Sequence, residues 1–296
     1  GRIEYAQNGG KLNTDFIDNS AGVDCSDHEV NIKILVQEMM ADGQYDAETR
    51  VKLLGSMTDN VSKLVLRNNY AQTQALSMME YQSKQRLGAK AHLIKVLEKR
   101  GLLDREIEYL PSNQELKQRQ AEGIGLSRPE LCVLLSYSKL ALYEDLLVSD
   151  VLEDKWFEET LKNYFPLKLQ KIAIKYRSGH RLHKEIIATI LTSQIIDRMG
   201  ATFMQRTYED TGANVGSIAK AYVVAVELFG AEKIWSTIET LDLKIKPKHQ
   251  IEGSLVVWNH IRQAVRWILN KFGHKFNISK VILELKKDVS KYSSCI

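Results

Sequence analysis

Apolar residues recur along most of this chain at intervals of three and four, the spacing that gives a helix one greasy face. The first such run, residues 30–40, places Val30, Ile32, Ile34, Leu35, Val36, Met39 and Met40 at near-helical spacing. From about residue 46 the pattern continues with little interruption. Thr58-Asp59-Asn60 opens a helix to about residue 67, and residues 69–87 continue in helical character. Residues 90–100 form another helix, with Gly101 as its stop. Ser127-Arg-Pro-Glu130 has the form of a capping box with proline in the first turn. It starts the most apolar helix of the chain, residues 131–147, which is expected to be buried.

Further on, residues 154–164 and 166–176 read as shorter helices, the second with Leu167, Leu169, Ile172, Ala173 and Tyr176 turned inward. Residues 180–210 form a long tract with a stripe of Ile186, Ile187, Ile190, Leu191, Ile195 and Met199, bent or broken at Gly200. Helices over 215–229 and 231–241 meet at Gly230, and residues 251–272 carry Trp258 and Trp267 before Gly273. A last amphipathic helix covers 277–291. The four tryptophans and the pair Met78-Met79 sit at core spacing and point to packing rather than to a cofactor. No fixed period of a solenoid is present.

The N-terminal stretch breaks this pattern. Residues 13–29 read Asn-Thr-Asp-Phe-Ile-Asp-Asn-Ser-Ala-Gly-Val-Asp-Cys-Ser-Asp-His-Glu, polar and turn-rich. Before them, Gly9-Gly10 marks a turn, and Leu12, Phe16 and Ile17 within 11–17 suggest one face of a strand. A strand end would then meet a helix start near Val30, with Asp24, Ser26 and Asp27 as N-cap types. Such junctions hold ligands in open α/β sheets. On pattern alone, a ligand site and an ordinary polar turn before a helix stand equal.

Composition narrows the classes. The chain has 296 residues, 44% hydrophobic, with 41 basic and 37 acidic residues and a net charge of +4. That is enough for a proper core and too balanced to draw the chain to nucleic acid or an anionic membrane. No window approaches the roughly 20 apolar residues of a membrane span. Basic residues near 275–291 alternate with Val281, Ile282, Leu283 and Leu285 as on a wetted helix face. Cys25, Cys132 and Cys295 are odd in number and widely spaced, so a reduced, cytoplasmic setting is expected. The start, Gly-Arg-Ile-Glu, is neither a signal peptide nor a natural initiator, which suggests a piece of a longer chain.

Other constellations carry little. In His180-x-x-His183 with Glu185, only two of the three sit at metal-ligand spacing, and a charged helix start is the simpler reading. Cys25-x-x-His28 lacks an orienting third group for a thiolate nucleophile.

The segment Asn19-x-x-Gly22-Val23-x-x-Ser26-x-x-Glu29 resembles the Asn-Ala-Gly-Gly-Val-x-x-Ser-x-x-Glu segment of glutamate dehydrogenases. The fuller wording from Asn13 to Ile34 is similar to the large bacterial NAD-specific class. The resemblance implies a mainly α fold. Residues 1–45 would be the short end of a Rossmann-like α/β nucleotide-binding domain, and 46–296 an all-helical C-terminal domain. It also implies an NAD-dependent oxidative deamination of L-glutamate to 2-oxoglutarate and ammonia, in a homo-oligomeric full-length protein.

Carried over by residue, Asn19 would contact the nicotinamide end of NAD and Gly22 would allow close backbone approach. Val23 would pack on the substrate methylenes, and Ser26 would bond its side-chain carboxylate. Ser20-Ala21 replaces the family's Ala-Gly pair, and Asp27-His28 replaces an aromatic pair. The resemblance places the catalytic lysine and aspartate upstream. No Gly-x-Gly-x-x-Gly fingerprint follows a strand here; Gly123-x-Gly125 precedes a helix, and its upstream flank is polar. The chain alone is therefore expected to be inactive. The other class in play is a non-catalytic helical module for regulation or assembly.

Overall fold

The computed structural model describes residues 1–176 and 180–293. Among them there is no strand. The helices in chain order are α1 (Arg2–Gln7), α2 (Asp15–Asp18), α3 (Ser20–Ala41), α4 (Ala47–Gly55), α5 (Thr58–Tyr81), α6 (Leu87–Lys99), α7 (Asn113–Ala121) and α8 (Arg128–Leu147). A 3-10 turn, Asp150–Glu153, leads to α9 (Phe157–Tyr164), α10 (Leu167–Tyr176), α11 (His183–Met199) and α12 (Phe203–Thr211). The chain closes with α13 (Val215–Leu228), α14 (Ala231–Glu239), α15 (Pro247–Phe272) and α16 (Ile278–Ser293).

The mainly α expectation holds, but the strand expected over 11–17 does not form. Residues 11–14 have no regular structure, and 15–18 make a single helical turn. A strand needs a partner ladder, and here side chains take that place. Arg2 Nη1 donates to the Asn13 carbonyl at 2.7 Å, and Arg128 Nε to Asn13 Oδ1 at 2.6 Å. The following helix starts at Ser20, ten residues earlier than its apolar period suggests, with Asn19 at the N-cap position. Asp24, Ser26 and Asp27 consequently lie inside α3 and cap nothing.

The core is one contiguous apolar cluster that includes Ile17 near one end of the chain and Leu285 near the other. Helix α11 packs on α8, α5 and α9, and α13 packs on α15, α16 and α14. Helix α3 lies along α5 and touches α10. As expected, α8 is buried on most of its circumference: Leu131, Cys132, Leu134, Leu135 and Leu146 are fully enclosed. Its start is fixed by Glu130, whose carboxylate accepts from the Ser127 backbone N–H at 2.6 Å and pairs with Arg119 at 2.9 Å.

Gly200 breaks the long tract between α11 and α12 at φ +78°, a conformation that costs a glycine least. Gly125 has a different reason. A Cβ there would sit 2.7 Å from the Ser83 backbone carbonyl carbon, and Ser83 Oγ bonds the Leu126 carbonyl at 2.8 Å. Gly125 thus lets the turn before α8 lie against the end of α5.

Two inward assignments fail. Leu167 is 77% exposed at the start of α10, and Trp267 is 49% exposed on α15, where it stacks with Lys271. The Tyr176 side chain and Cys295 lie outside the described residues. Trp258 is buried and donates to the Met199 carbonyl at 2.7 Å, while Arg86 and Arg262 flank its ring. No helix among the described residues is long and apolar enough to cross a membrane.

Candidate functional site

Helix α3 divides its side chains cleanly. His28, Asn31, Ile32, Leu35, Val36 and Met39 face the core. Asn19, Gly22, Val23, Ser26 and Val30 recur at intervals of three and four on the opposite, exposed face. All four sequence-predicted site residues therefore share one stripe. Val23 is 64% exposed and Val30 48%, a high exposure for valines on an otherwise packed helix. The Ser26 hydroxyl and the Asn19 carboxamide make no side-chain hydrogen bond among the described residues, so both remain available to a ligand.

Gly22 has a negative φ in the first turn of α3, so its role is space rather than backbone freedom. A Cβ at this position would approach Asn19 Oδ1 to 3.3 Å. The missing Cβ leaves the Asn19 carboxamide room over the first turn.

The segment leading into this stripe is tied down from behind. Besides its contacts with Arg2 and Arg128, Asn13 donates to Asp18 Oδ1 at 2.9 Å. Arg2 pairs with Asp15, and Arg128 with Glu80 at 2.9 Å. The Ser20 hydroxyl lies 2.6 Å from Asn69 Oδ1 and accepts from Gln72 Nε2 at 3.2 Å. Asn68 donates to Asp24 at 2.8 Å. Arg2, Asp15 and Asp18 lie close by in sequence, whereas Asn68, Asn69, Gln72 and Glu80 come from α5 and Arg128 from α8, far along the chain. Sequence reasoning read Arg128 only as part of a capping box and did not single out Ser20, Asn69 or Gln72 as supports.

Behind α3 lies a cleft of about 690 Å³, lined among others by Asp24, His28, Tyr164, Gln194, Asp197 and Arg198. His28 stacks on Tyr164 with ring centroids 4.4 Å apart. Burial pushes the His28 imidazole below its ordinary range against the pull of Asp24 and Asp27, so it packs as a neutral ring. Asp27 is raised by burial and then by the charge of Asp24. Cys25 is exposed, whereas His28, one turn further along the helix, is buried. His180 is buried as well: its Nε2 lies 3.1 Å from the Asn31 carbonyl, and its Nδ1 accepts from the Leu182 N–H at 3.2 Å. Both its nitrogens are occupied in fixing α3 to the loop before α11.

The described residues form an all-helical body in which one helix, α3, carries an open stripe of polar and apolar side chains. Residues 123–296 match the family described as glutamate dehydrogenase, C-terminal, and the chain belongs to that family. Residues 1–79 match bacterial NAD-glutamate dehydrogenase, catalytic domain. The chain is similar to NAD-specific glutamate dehydrogenase of Halomonas elongata, 43% identical over 274 residues. It is also similar to the proteins of the same description from Pseudomonas aeruginosa, at 42%, and Mycobacterium tuberculosis, at 38%. These alignments cover 92%, 90% and 91% of this chain but only 17%, 16% and 16% of the relatives. The chain thus spans about a sixth of the length of the curated relatives it matches.

Proposed function

We propose that this chain supplies one wall of the active site of an NAD-dependent glutamate dehydrogenase, on the exposed face of α3. What supports the reading is a single observation: Asn19, Gly22, Val23 and Ser26 share an open stripe, and among the described residues the side chains of Asn19 and Ser26 have no hydrogen-bond partner. In this proposal residues 1–45 are the end of the catalytic nucleotide-binding domain, and 46–296 are the helical domain that backs it. The full-length protein is proposed to be a cytoplasmic homo-oligomer.

The reaction is the oxidative deamination of L-glutamate. NAD, when bound, accepts the hydride that leaves the glutamate Cα. Water then hydrolyses the resulting imine, releasing ammonia and 2-oxoglutarate, with one proton left over. The residues of this chain orient rather than react. Asn19, with the space Gly22 leaves, holds the cofactor end, and Val23 covers the substrate methylenes. Ser26 donates to the far carboxylate. Holding two reactants in register can remove about 7–11 kcal/mol of a bimolecular barrier.

In a full-length enzyme carrying this segment, Ser26→Ala is expected to raise the KM for glutamate roughly 10- to 100-fold. That is the range for losing a hydrogen bond to a charged group. The KM for NAD should stay within about twofold, whereas Asn19→Ala should act mainly on NAD. Steady-state kinetics with each reactant varied in turn checks both. Equal losses for glutamate and NAD in the Ser26 variant would contradict the assignment.

A further inference from the structure

A line of hydrogen bonds runs from the first residue of α3 into the core. Ser20 Oγ accepts from Gln72 Nε2 at 3.2 Å. Gln72 Oε1 accepts from Lys139 Nζ at 3.0 Å. The same ammonium reaches both oxygens of Asp197, at 3.0 and 2.8 Å. Asp197 is only 7% exposed, so its charge requires the cation beside it. Four helices, α3, α5, α8 and α11, are joined by these four side chains.

Donor and acceptor chemistry gives the line a fixed direction. An ammonium only donates, so the oxygen of the Gln72 amide must face Lys139 and its nitrogen must face Ser20. Ser20 therefore accepts from Gln72, and its own hydrogen is left for Asn69 Oδ1 at 2.6 Å or the Ile17 carbonyl at 2.9 Å. Lys139, held by Asp197, thereby fixes the Gln72 amide that donates to the hydroxyl immediately next to Asn19. A purely packing role would not call for a buried ion pair at one end and a half-exposed hydroxyl at the other.

We infer that Gln72 and Lys139, anchored by Asp197, are positioning residues for the cofactor side of the site: they hold the N-terminus of α3, and with it Asn19, in register. The inference rests on the reading of Asn19 as cofactor-facing. It adds that helices α8 and α11 of the C-terminal body contribute to that geometry without touching either reactant. The effect should fall on NAD and spare glutamate, because Ser26 lies nearly two helical turns further along α3.

The test uses the full-length enzyme. Gln72→Met cuts the line without leaving a buried charge, and Lys139→Met with Asp197→Leu removes the anchor as a charge-balanced pair. Both are expected to lower kcat/KM for NAD roughly 10- to 100-fold, the cost of a misplaced contact. Glutamate affinity should stay within about twofold. Gln72→Glu still accepts from Lys139 but no longer donates to Ser20, and it should share the NAD loss.

Should the core variants fail to fold, Ser20→Ala removes the outer end of the line at a half-exposed position and should show the same NAD-selective loss. Folded variants with unchanged NAD kinetics, alongside an Asn19→Ala enzyme that has lost NAD, overturn this inference alone. An Asn19→Ala enzyme with unchanged NAD kinetics overturns the site reading on which it rests.

Discussion

Glu130→Ala is expected to lower the unfolding free energy by about 3–5 kcal/mol, the range for stripping one partner from a buried charge pair. Glu130 is completely enclosed, and one of its carboxylate oxygens takes both the Ser127 N–H and the Arg119 guanidinium. Its removal leaves Arg119, itself only 15% exposed, without an anion and α8 without its first-turn acceptor. Glu130→Gln keeps an acceptor of the same shape and should lose roughly 1–2 kcal/mol less. Urea unfolding followed by helical circular dichroism separates the two variants. Equal stability of Glu130→Ala and the parent would show that the pair contributes nothing net. Because α8 carries Arg128 and Lys139, the same variant should also loosen the site face of α3.

Lys90→Met is expected to stabilise the protein at mildly acid pH. Lys90 is 3% exposed, and among the described residues its Nζ donates only to the Gln82 carbonyl, at 3.3 Å, with Arg86 nearby. Burial, and then the charge of Arg86, lower its pKa to about 7. In the unfolded chain the same lysine titrates near 10.4. Between about pH 7 and 10 the unfolded state therefore holds the extra proton, and stability rises with pH across that window. Below pH 7 folding carries the full cost of a buried cation, on the order of 3–5 kcal/mol for a shift of this size. Methionine removes that cost, so stability at pH 6 should increase and the slope between pH 7 and 10 should flatten. Denaturation curves at a series of pH values check it; an unchanged slope would show that Lys90 titrates as an exposed lysine does.

Much of the helical body was legible in the sequence because helices announce themselves locally. The apolar period of 186–199, the box at Ser127–Glu130 and the stops at Gly200, Gly212 and Gly230 each depend on residues within a few positions of one another. Helix α3 was harder. Its first three turns are written in Asn, Ser, Gly and Asp, residues that favour turns when nothing else decides. Packing of α3 against α5 and α10, with His28 and Asn31 both meeting Tyr164 of α9, overrides that preference and extends the helix back to Ser20.

The strand reading of 11–17 failed for the converse reason. Leu12, Phe16 and Ile17 show a plausible local pattern, yet a strand exists only through a partner. Within these 296 residues, Arg2 and Arg128 satisfy Asn13 instead. The proposed site residues were readable as a motif, but their supports were not. Gln72 and Lys139 are 67 positions apart and meet only once α5 and α8 are packed. Nothing in the local pattern around either residue distinguishes it from an ordinary polar side chain on an amphipathic helix.

In the proposed function this chain carries one wall of a dehydrogenase site and a helical body that holds it, and the groups that move protons and grip the dinucleotide are supplied by other residues of the full-length enzyme. Assay of NADH formation by the isolated 296-residue chain, given saturating NAD and L-glutamate, tests this most directly. The expected result is a cooperatively folded, helical protein with no measurable turnover. Glutamate-dependent NADH formation by that chain would contradict the account, because it would place a complete catalytic centre within these residues.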